Sequence, residues 1–257
     1  MAYKKYSEKE RLNAVKRFDR FDFDLNKNLH GILDLASYIY ETPVAFITLI
    51  DERDQLFKVT KGFNVSLMPR ETSFCHHTIM HESVMIVSDA LNDERFANNP
   101  LVKNAPNIRF YAGAPLATND GQNIGTLCLL DTVVKQIPEE KRQLLDILSK
   151  QAINIMELEV TYKLLNEKMN HIEFQNNLLV DIAFIQSHEF RGPLSTIMGL
   201  MNVIKEDEYR SPKDYLVMME TAVHKLDEKV RLVVESTEVV KKTMENGVGE
   251  LGRDVEF

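Results

Sequence analysis

The chain has 257 residues, room for two units of ordinary domain size, and 44% of them are hydrophobic, enough for a real core. Acidic residues (39) outnumber basic ones (31), and the net charge of −8 argues against a nucleic-acid partner, because neutralising phosphates takes a basic face. Two cysteines are too few for a disulfide framework, and no run approaches the roughly 20 apolar residues of a membrane span. The N-terminus has no apolar signal core, so a cytoplasmic protein is expected.

In chain order, residues 26–40 are predicted as a helix. Residues 44–50, β-branched and apolar between Pro43 and Asp51, are predicted as a buried strand. Residues 55–60 alternate with period two and form its hairpin partner, closed by Gly62; residues 84–87 make a third strand. Residues 110–117 and 123–130 flank Asn119-Asp120-Gly121, where an Asp-Gly pair supplies the positive φ of a tight hairpin. This order indicates an α+β unit on a mostly antiparallel sheet, with a second helix starting at Pro138.

From Pro138 to Lys205 the only helix-breaking pair is Gly192-Pro193. Ile155, Leu158, Tyr162, Leu165, Met169, Ile172, Asn176, Leu179 and Ala183 follow a 3,4 alternation, the seam of a coiled coil, with Asn176 as a register-fixing polar residue. His188 lies off that seam. Residues 206–210 read as a loop. Ser211-Pro212-Lys213-Asp214 then starts a second helix, with Ser as N-cap, and Asn246-Gly247 is expected to stop it. Leu216, Met219, Val223, Leu226, Val230, Val233 and Val240 form its seam. Each helix of this hairpin carries more apolar surface than the other covers, so a homodimeric four-helix bundle is expected. The expected organisation is an α+β domain over 1–150, a coiled-coil helix over 151–180, a helical hairpin over 181–246 and a tail over 247–257.

A histidine that accepts a phosphoryl group must offer a neutral ring nitrogen to solvent, and a neighbouring carboxylate can hold or take the other ring proton. Ser187-His188-Glu189-Phe190-Arg191-Gly192-Pro193-Leu194 supplies both, with Arg191 able to contact phosphate and Pro193 bending the helix. This run resembles the H box of sensor histidine kinases, and the hairpin around it resembles their dimerisation and histidine-phosphotransfer domain. The resemblance implies that His188 is the phosphoacceptor and Glu189 the assisting acid, with a response-regulator receiver domain as partner. Gly192 stands where that family usually carries Thr or Asn, so the resemblance does not extend to phosphatase activity. After residue 199 the only glycines are Gly247, Gly249 and Gly252, and no ATP-binding box follows. ATP is therefore expected only through a missing or separate kinase catalytic domain. Ile197 and Met201, below the histidine, are candidates for regulator docking or for burial in the bundle.

Thr72-Ser73-Phe74-Cys75-His76-His77-Thr78-Ile79, Val87-Ser88-Asp89-Ala90, the stretch Asp93 to Val102, Ile108 to Leu116 and Ile124 to Asp131 together resemble a GAF sensory domain of the bacterial type with a Ser-Phe-Cys motif. The resemblance implies a small-molecule ligand of unknown identity, and Cys75, His76 and His77 are the candidate ligand-binding residues. His77 and His81 stand at i, i+4, a spacing that places two imidazoles on one metal. No acidic third ligand accompanies them, and no metal site is assigned. A packed core thiol is the alternative for Cys75, and a thiol-redox role is a further one.

Two rivals stand beside the phosphoacceptor reading. One is a non-catalytic dimeric sensor or scaffold that relays ligand binding to a protein partner. The other is an enzyme acting on an oxidised thioether through its thiols, disfavoured because the two cysteines lie 53 positions apart.

Overall fold

Short apolar stretches with period-two patterning have to bury both faces of a sheet here, and they do so against helices on each side. The computed structural model describes residues 7–251 except 64 and 211, with backbone alone at 185–188 and 236–251. The strands are β1 (Val44–Ile50), β2 (Asp54–Lys61), β3 (Leu67–Pro69), β4 (Met85–Val87), β5 (Phe110–Ala117) and β6 (Asn123–Asp131). They form one sheet in the order β3-β2-β1-β6-β5-β4, with every neighbouring pair antiparallel. The helices are α1 (Glu8–Asp19), α2 (Lys27–Tyr40), α3 (Phe74–Ile79), α4 (Pro100–Lys103), α5 (Glu139–Glu189), α6 (Arg191–Glu206) and α7 (Lys213–Leu251). The chain divides into two compact units, residues 1–166 and 167–257.

In the first unit, alternation along the strands sorts side chains into two cores. Ala45, Ile47 and Leu49 of β1 and Phe110, Ala112, Ala114 and Leu116 of β5 face α1, α2 and the first turns of α5. From the helices, Val15, Phe18, Leu29, Leu33, Leu145, Ala152 and Met156 close that core. Residues 152–160, expected on the coiled-coil helix, thus belong by packing to the sheet. Phe46, Ile50, Tyr111 and Cys128 point the other way, into a second core with Phe74, Cys75, Ile79, Phe96 and Val102. Burying a side chain of this size contributes about 1.5–3 kcal/mol, so the two cores together carry the stability of the unit.

Local backbone chemistry fixes the ends of α2 and the β5–β6 turn. The Asn26 side chain accepts from the backbone N–H groups of Asn28 and Leu29 at the start of α2, and Glu41 ends that helix in the left-handed region at φ 53°. Gly121 takes φ 82° in the β5–β6 turn, as the Asp-Gly pair requires. Several short elements, α3 and α4 among them, and two further ones were not anticipated. α1 presents a charged sequence yet buries Ala14, Val15, Phe18 and Arg11, and β3 is a three-residue edge strand ending on Pro69.

In the second unit, α6 packs against α7. The interruption after α5 falls at Phe190, one residue before α6 starts, so Gly192 and Pro193 lie in the first turn of α6. A proline ring clashes with the carbonyl four residues back, here that of Glu189, so the helix ends there instead of at the proline. The loop at 207–210 is present, with Glu208 and Tyr209 at φ 49° and 64°. α7 begins at Lys213; the expected N-cap Ser211 lies outside the described residues. The expected stop at Asn246-Gly247 is corrected, since α7 continues to Leu251; the rest of the expected tail, 252–257, lies outside the described residues. A single interior glycine costs a helix only about 1 kcal/mol and terminates it only where the chain turns left-handed.

Candidate functional site

Ser73, Gln55 and the first turn of α3 open a string of buried polar groups beneath the second core. Ser73 caps α3, its hydroxyl accepting from the backbone N–H of His76 at 3.2 Å and donating to Gln55 Oε1. The Gln55 amide donates in turn to Cys75 Sγ at 3.5 Å. Cys75 Sγ lies 3.5 Å from Cys128 Sγ, which β6 delivers from the opposite side. Tyr111 donates its hydroxyl to Cys75 Sγ at 3.6 Å and shares a 2.7 Å hydrogen bond with Thr78 Oγ1. Thr48 and Thr126, paired at 3.2 Å on neighbouring strands, complete the cluster. All of these residues are buried. Polar groups in such a place cost free energy unless paired, and here the hydrogen bonds pair them.

Two features of the sequence build this arrangement. Gly113 sits two residues from Tyr111 on the same face of β5, and a Cβ there would stand 2.1 Å from the Tyr111 hydroxyl. The glycine therefore lets the phenol lie back across the strand and reach Cys75. Phe74, at the start of α3, stacks on Phe96 at 4.2 Å and on Tyr111 at 5.2 Å, which fixes the helix over the sheet.

Burial pushes the Cys75 thiol up, but hydrogen bonds from Cys128, Thr126, Tyr111 and Thr48 outweigh it and bring it below the usual thiol range. Cys128 is held well above that range, first by burial and then by its neighbour Cys75. Of the pair, Cys75 is the more acidic. Tyr111 is raised by burial and by the two thiols, so its hydroxyl remains a donor.

The three candidate ligand residues of α3 go three ways. Cys75 faces the core. His76, half-buried, accepts at Nδ1 from Arg70 Nε at 2.9 Å, and burial followed by the Arg70 charge lowers it to about 4, so it is neutral at pH 7. His77 packs its edge on Phe96 at 4.9 Å and is lowered by burial and by Arg95. The i, i+4 spacing of His77 and His81 does not fall on one helix, because α3 ends at Ile79 and is capped by Met80. Among the described residues, no group of three or more His, Cys, Asp or Glu is placed to hold a metal ion.

Outside His76 lies an open depression of about 540 Å³, lined also by Glu52, Arg53, Pro69, Arg70 and Glu71. Arg70 organises it, donating to Glu8 Oε1 at 2.7 Å and to the carbonyl of Asp51 at 3.0 Å. Glu8 also receives two hydrogen bonds from Arg11 at 2.8 Å, and Arg11, fully buried, donates to the carbonyl of Ile50. Hydrogen bonding to Arg11 outweighs partial burial and, with Arg70, lowers Glu8 to about 2.

The residues of the expected H box lie in the second unit. His188 belongs to the last turn of α5, and its side chain lies outside the described residues. Glu189 is exposed and ion-paired with Lys229 of α7. Arg191 opens α6, exposed, and Pro193 is half-buried in its first turn. Ile197 is half-buried and Met201 exposed. Sequence reasoning missed Tyr111, Gln55, Thr78, Ser73 and Lys229. The Tyr-x-Gly spacing on a buried strand was the one readable signal, because it marks a ring that needs the space of a missing Cβ.

Among the described residues no helix is long and apolar enough to cross a membrane. A cyclic di-GMP phosphodiesterase of Pseudomonas aeruginosa is 45% identical over 100 residues, which are 39% of this chain and 17% of that protein. The chain therefore matches only a small part of that relative. Among solved structures, the GAF domain of an Acinetobacter phosphoenolpyruvate-protein phosphotransferase is similar with a TM-score of 0.44 at 15% identity, over 62% of this chain and 99% of that one. A domain of a putative two-component sensor histidine kinase protein from Sinorhizobium meliloti has a TM-score of 0.41 at 14% identity, over 54% and 96%. The GAF domain family itself matches residues 24–156, which span the sheet, the thiol pair, α2 and the first turns of α5. With more than half of its length matched, the chain belongs to the GAF domain family.

Proposed function

We propose that the chain is the sensory and phosphoacceptor part of a two-component system, in which His188 receives a phosphoryl group and passes it to an aspartate of a response regulator. The observation that carries this reading is the helix interruption at Phe190. It directly follows His188-Glu189, and it sets Glu189 against Lys229 of the facing helix. A phosphoacceptor needs an exposed, locally loosened turn with a carboxylate beside it, and a plain coiled coil gains nothing from breaking there. In this reading Glu189 is the adjacent acid, Arg191 contacts phosphate and Pro193 fixes the break. The phosphoryl donor is a kinase ATP-binding domain, in the same protein or a separate one. Two copies pair through the seams of α5 and α7 into a four-helix bundle, in the cytoplasm. A ligand of the GAF domain shifts the register or rotation of the helix pair and so alters access to His188.

A second reading, a non-catalytic dimeric sensor or scaffold, is favoured by the Pseudomonas relative. There a segment similar to part of this chain occurs in a protein named for cyclic di-GMP hydrolysis, so the shared segment does not by itself dictate the output. One experiment separates the two. The protein is incubated with a histidine-kinase ATP-binding domain and labelled ATP, and separately with a phosphorylated receiver domain. Acid-labile label on the wild type that is lost in His188→Gln is the expected result. Absence of label under both conditions sinks the phosphoacceptor reading and leaves the scaffold.

A further inference from the structure

The buried thiol pair has no part in phosphotransfer, and an inert core does not call for its surroundings. The second core is otherwise apolar and aromatic, yet the amide of Gln55 and the hydroxyl of Tyr111 both aim donors at one sulfur atom. The sulfur they address lies 3.5 Å from the only other thiol in the chain. Those partners come from three different strands and meet a sulfur carried by α3, so the convergence is tertiary and not a by-product of one local turn. Around a resting thiol such donors are expensive to bury. Around a thiolate they are what stabilises the charge.

We infer that Cys75 and Cys128 form a peroxide-sensitive dithiol, Cys75 being the attacking sulfur and Cys128 the resolving one. In the first step the Cys75 thiolate attacks one oxygen of a hydroperoxide. An S–O bond forms, the O–O bond breaks, and the departing oxygen leaves as water or an alcohol, taking up the proton that the Cys75 thiol gave up. In the second step Cys128 sulfur attacks the sulfenic sulfur. The S–S bond forms, the S–O bond breaks, and hydroxide leaves as water with the Cys128 proton. The two sulfurs together lose two electrons and the peroxide gains them. Small neutral peroxides suit this place, because Cys75 lies under a single six-residue helix whose outer side, at His76, faces the open depression. The consequence is an oxidant input to the GAF domain, and it stands independently of the assignment of His188.

The test uses the full chain. Native protein is exposed to hydrogen peroxide, quenched with catalase, unfolded in denaturant with an alkylating agent, and weighed by mass spectrometry. The expected result is loss of both alkylatable thiols and of two hydrogen atoms per chain, a cross-linked peptide pair containing Cys75 and Cys128, and full recovery with dithiothreitol. In Cys75→Ser the remaining thiol stays alkylatable under the same exposure. In Cys128→Ser the disulfide is lost and Cys75 stops at the sulfenic acid, trapped by dimedone. Circular dichroism confirms that each variant is folded, and the alanine variant at the same position, Cys75→Ala or Cys128→Ala, replaces a serine variant that is not. If the wild type keeps two alkylatable thiols under conditions that fully oxidise glutathione, the inference is wrong. It is equally wrong if the only products are sulfinic acid or disulfides between chains.

Discussion

The two units of the chain treat their apolar side chains in opposite ways. In residues 1–166 the sheet is sandwiched, and Ile47, Leu49, Phe110 and Leu127 are completely withdrawn from solvent. Among the described side chains of residues 167–257 the helices cover little of each other. Ile204, Ala222 and Val233 are buried, while Ile172, Leu179, Leu216 and Val223 remain 51–54% exposed. A sheet with helices on both faces completes its own core, whereas a two-helix hairpin has one interface for two apolar strips. The first unit closes its own core, and the second leaves apolar strips exposed.

The largest effect that would test this contrast is a truncation on each side of it. Phe110→Ala, in the middle of the first core, is expected to destabilise the first unit by about 3–5 kcal/mol in urea unfolding followed by circular dichroism. Leu216→Ala, on the exposed strip of α7, is expected to change the stability of the isolated chain by no more than about 0.5 kcal/mol. Equal losses at the two positions would mean that the second unit is closed in solution by its own chain. A medium effect is expected from charge on the seam. Ile172→Asp combined with Leu179→Asp weakens self-association by about tenfold or more, roughly 1.4 kcal/mol, in sedimentation velocity, while the first unit keeps its unfolding midpoint. An unchanged association constant would remove the seam from the proposed dimer.

How much of this was legible in the sequence follows the same division. Strands β1, β5 and β6 announce themselves as short apolar runs buried on both faces, β2 by its period-two alternation, and the β5–β6 turn by its Asp-Gly pair. The buried Arg11 of α1 had no such signal. A helix rich in Glu, Lys and Arg looks solvated, and only the carbonyl of Ile50 and the carboxylate of Glu8 explain an arginine inside. The thiol pair was equally hidden. A separation of 53 residues says nothing about distance once an antiparallel sheet folds one residue over the other. The end of α7 was misread because a glycine weighs little against the length of that helix.

The smallest effect concerns Glu8. Its carboxyl is held at about 2 in the folded protein against an ordinary value of 4.5, so the stabilisation it contributes is present above about 4.5 and fades as pH falls toward 2. Because the side chain is 48% exposed, solvent screening limits the contribution to below about 1 kcal/mol. Glu8→Gln is expected to lower the urea midpoint slightly at pH 6, with the difference from the wild type shrinking at pH 3. A difference independent of pH would show that Arg11 and Arg70 do not depend on the charge of Glu8.

Tyr111 and Gly113 have a consequence for descent as well as for packing. The hydroxyl of one occupies the space in which the other would carry a side chain. The two positions therefore behave as a single heritable unit. A lineage that fills position 113 must first give up the phenol at 111, and with it the hydroxyl that reaches Cys75. Substitutions at the pair are expected to arrive together, in that order.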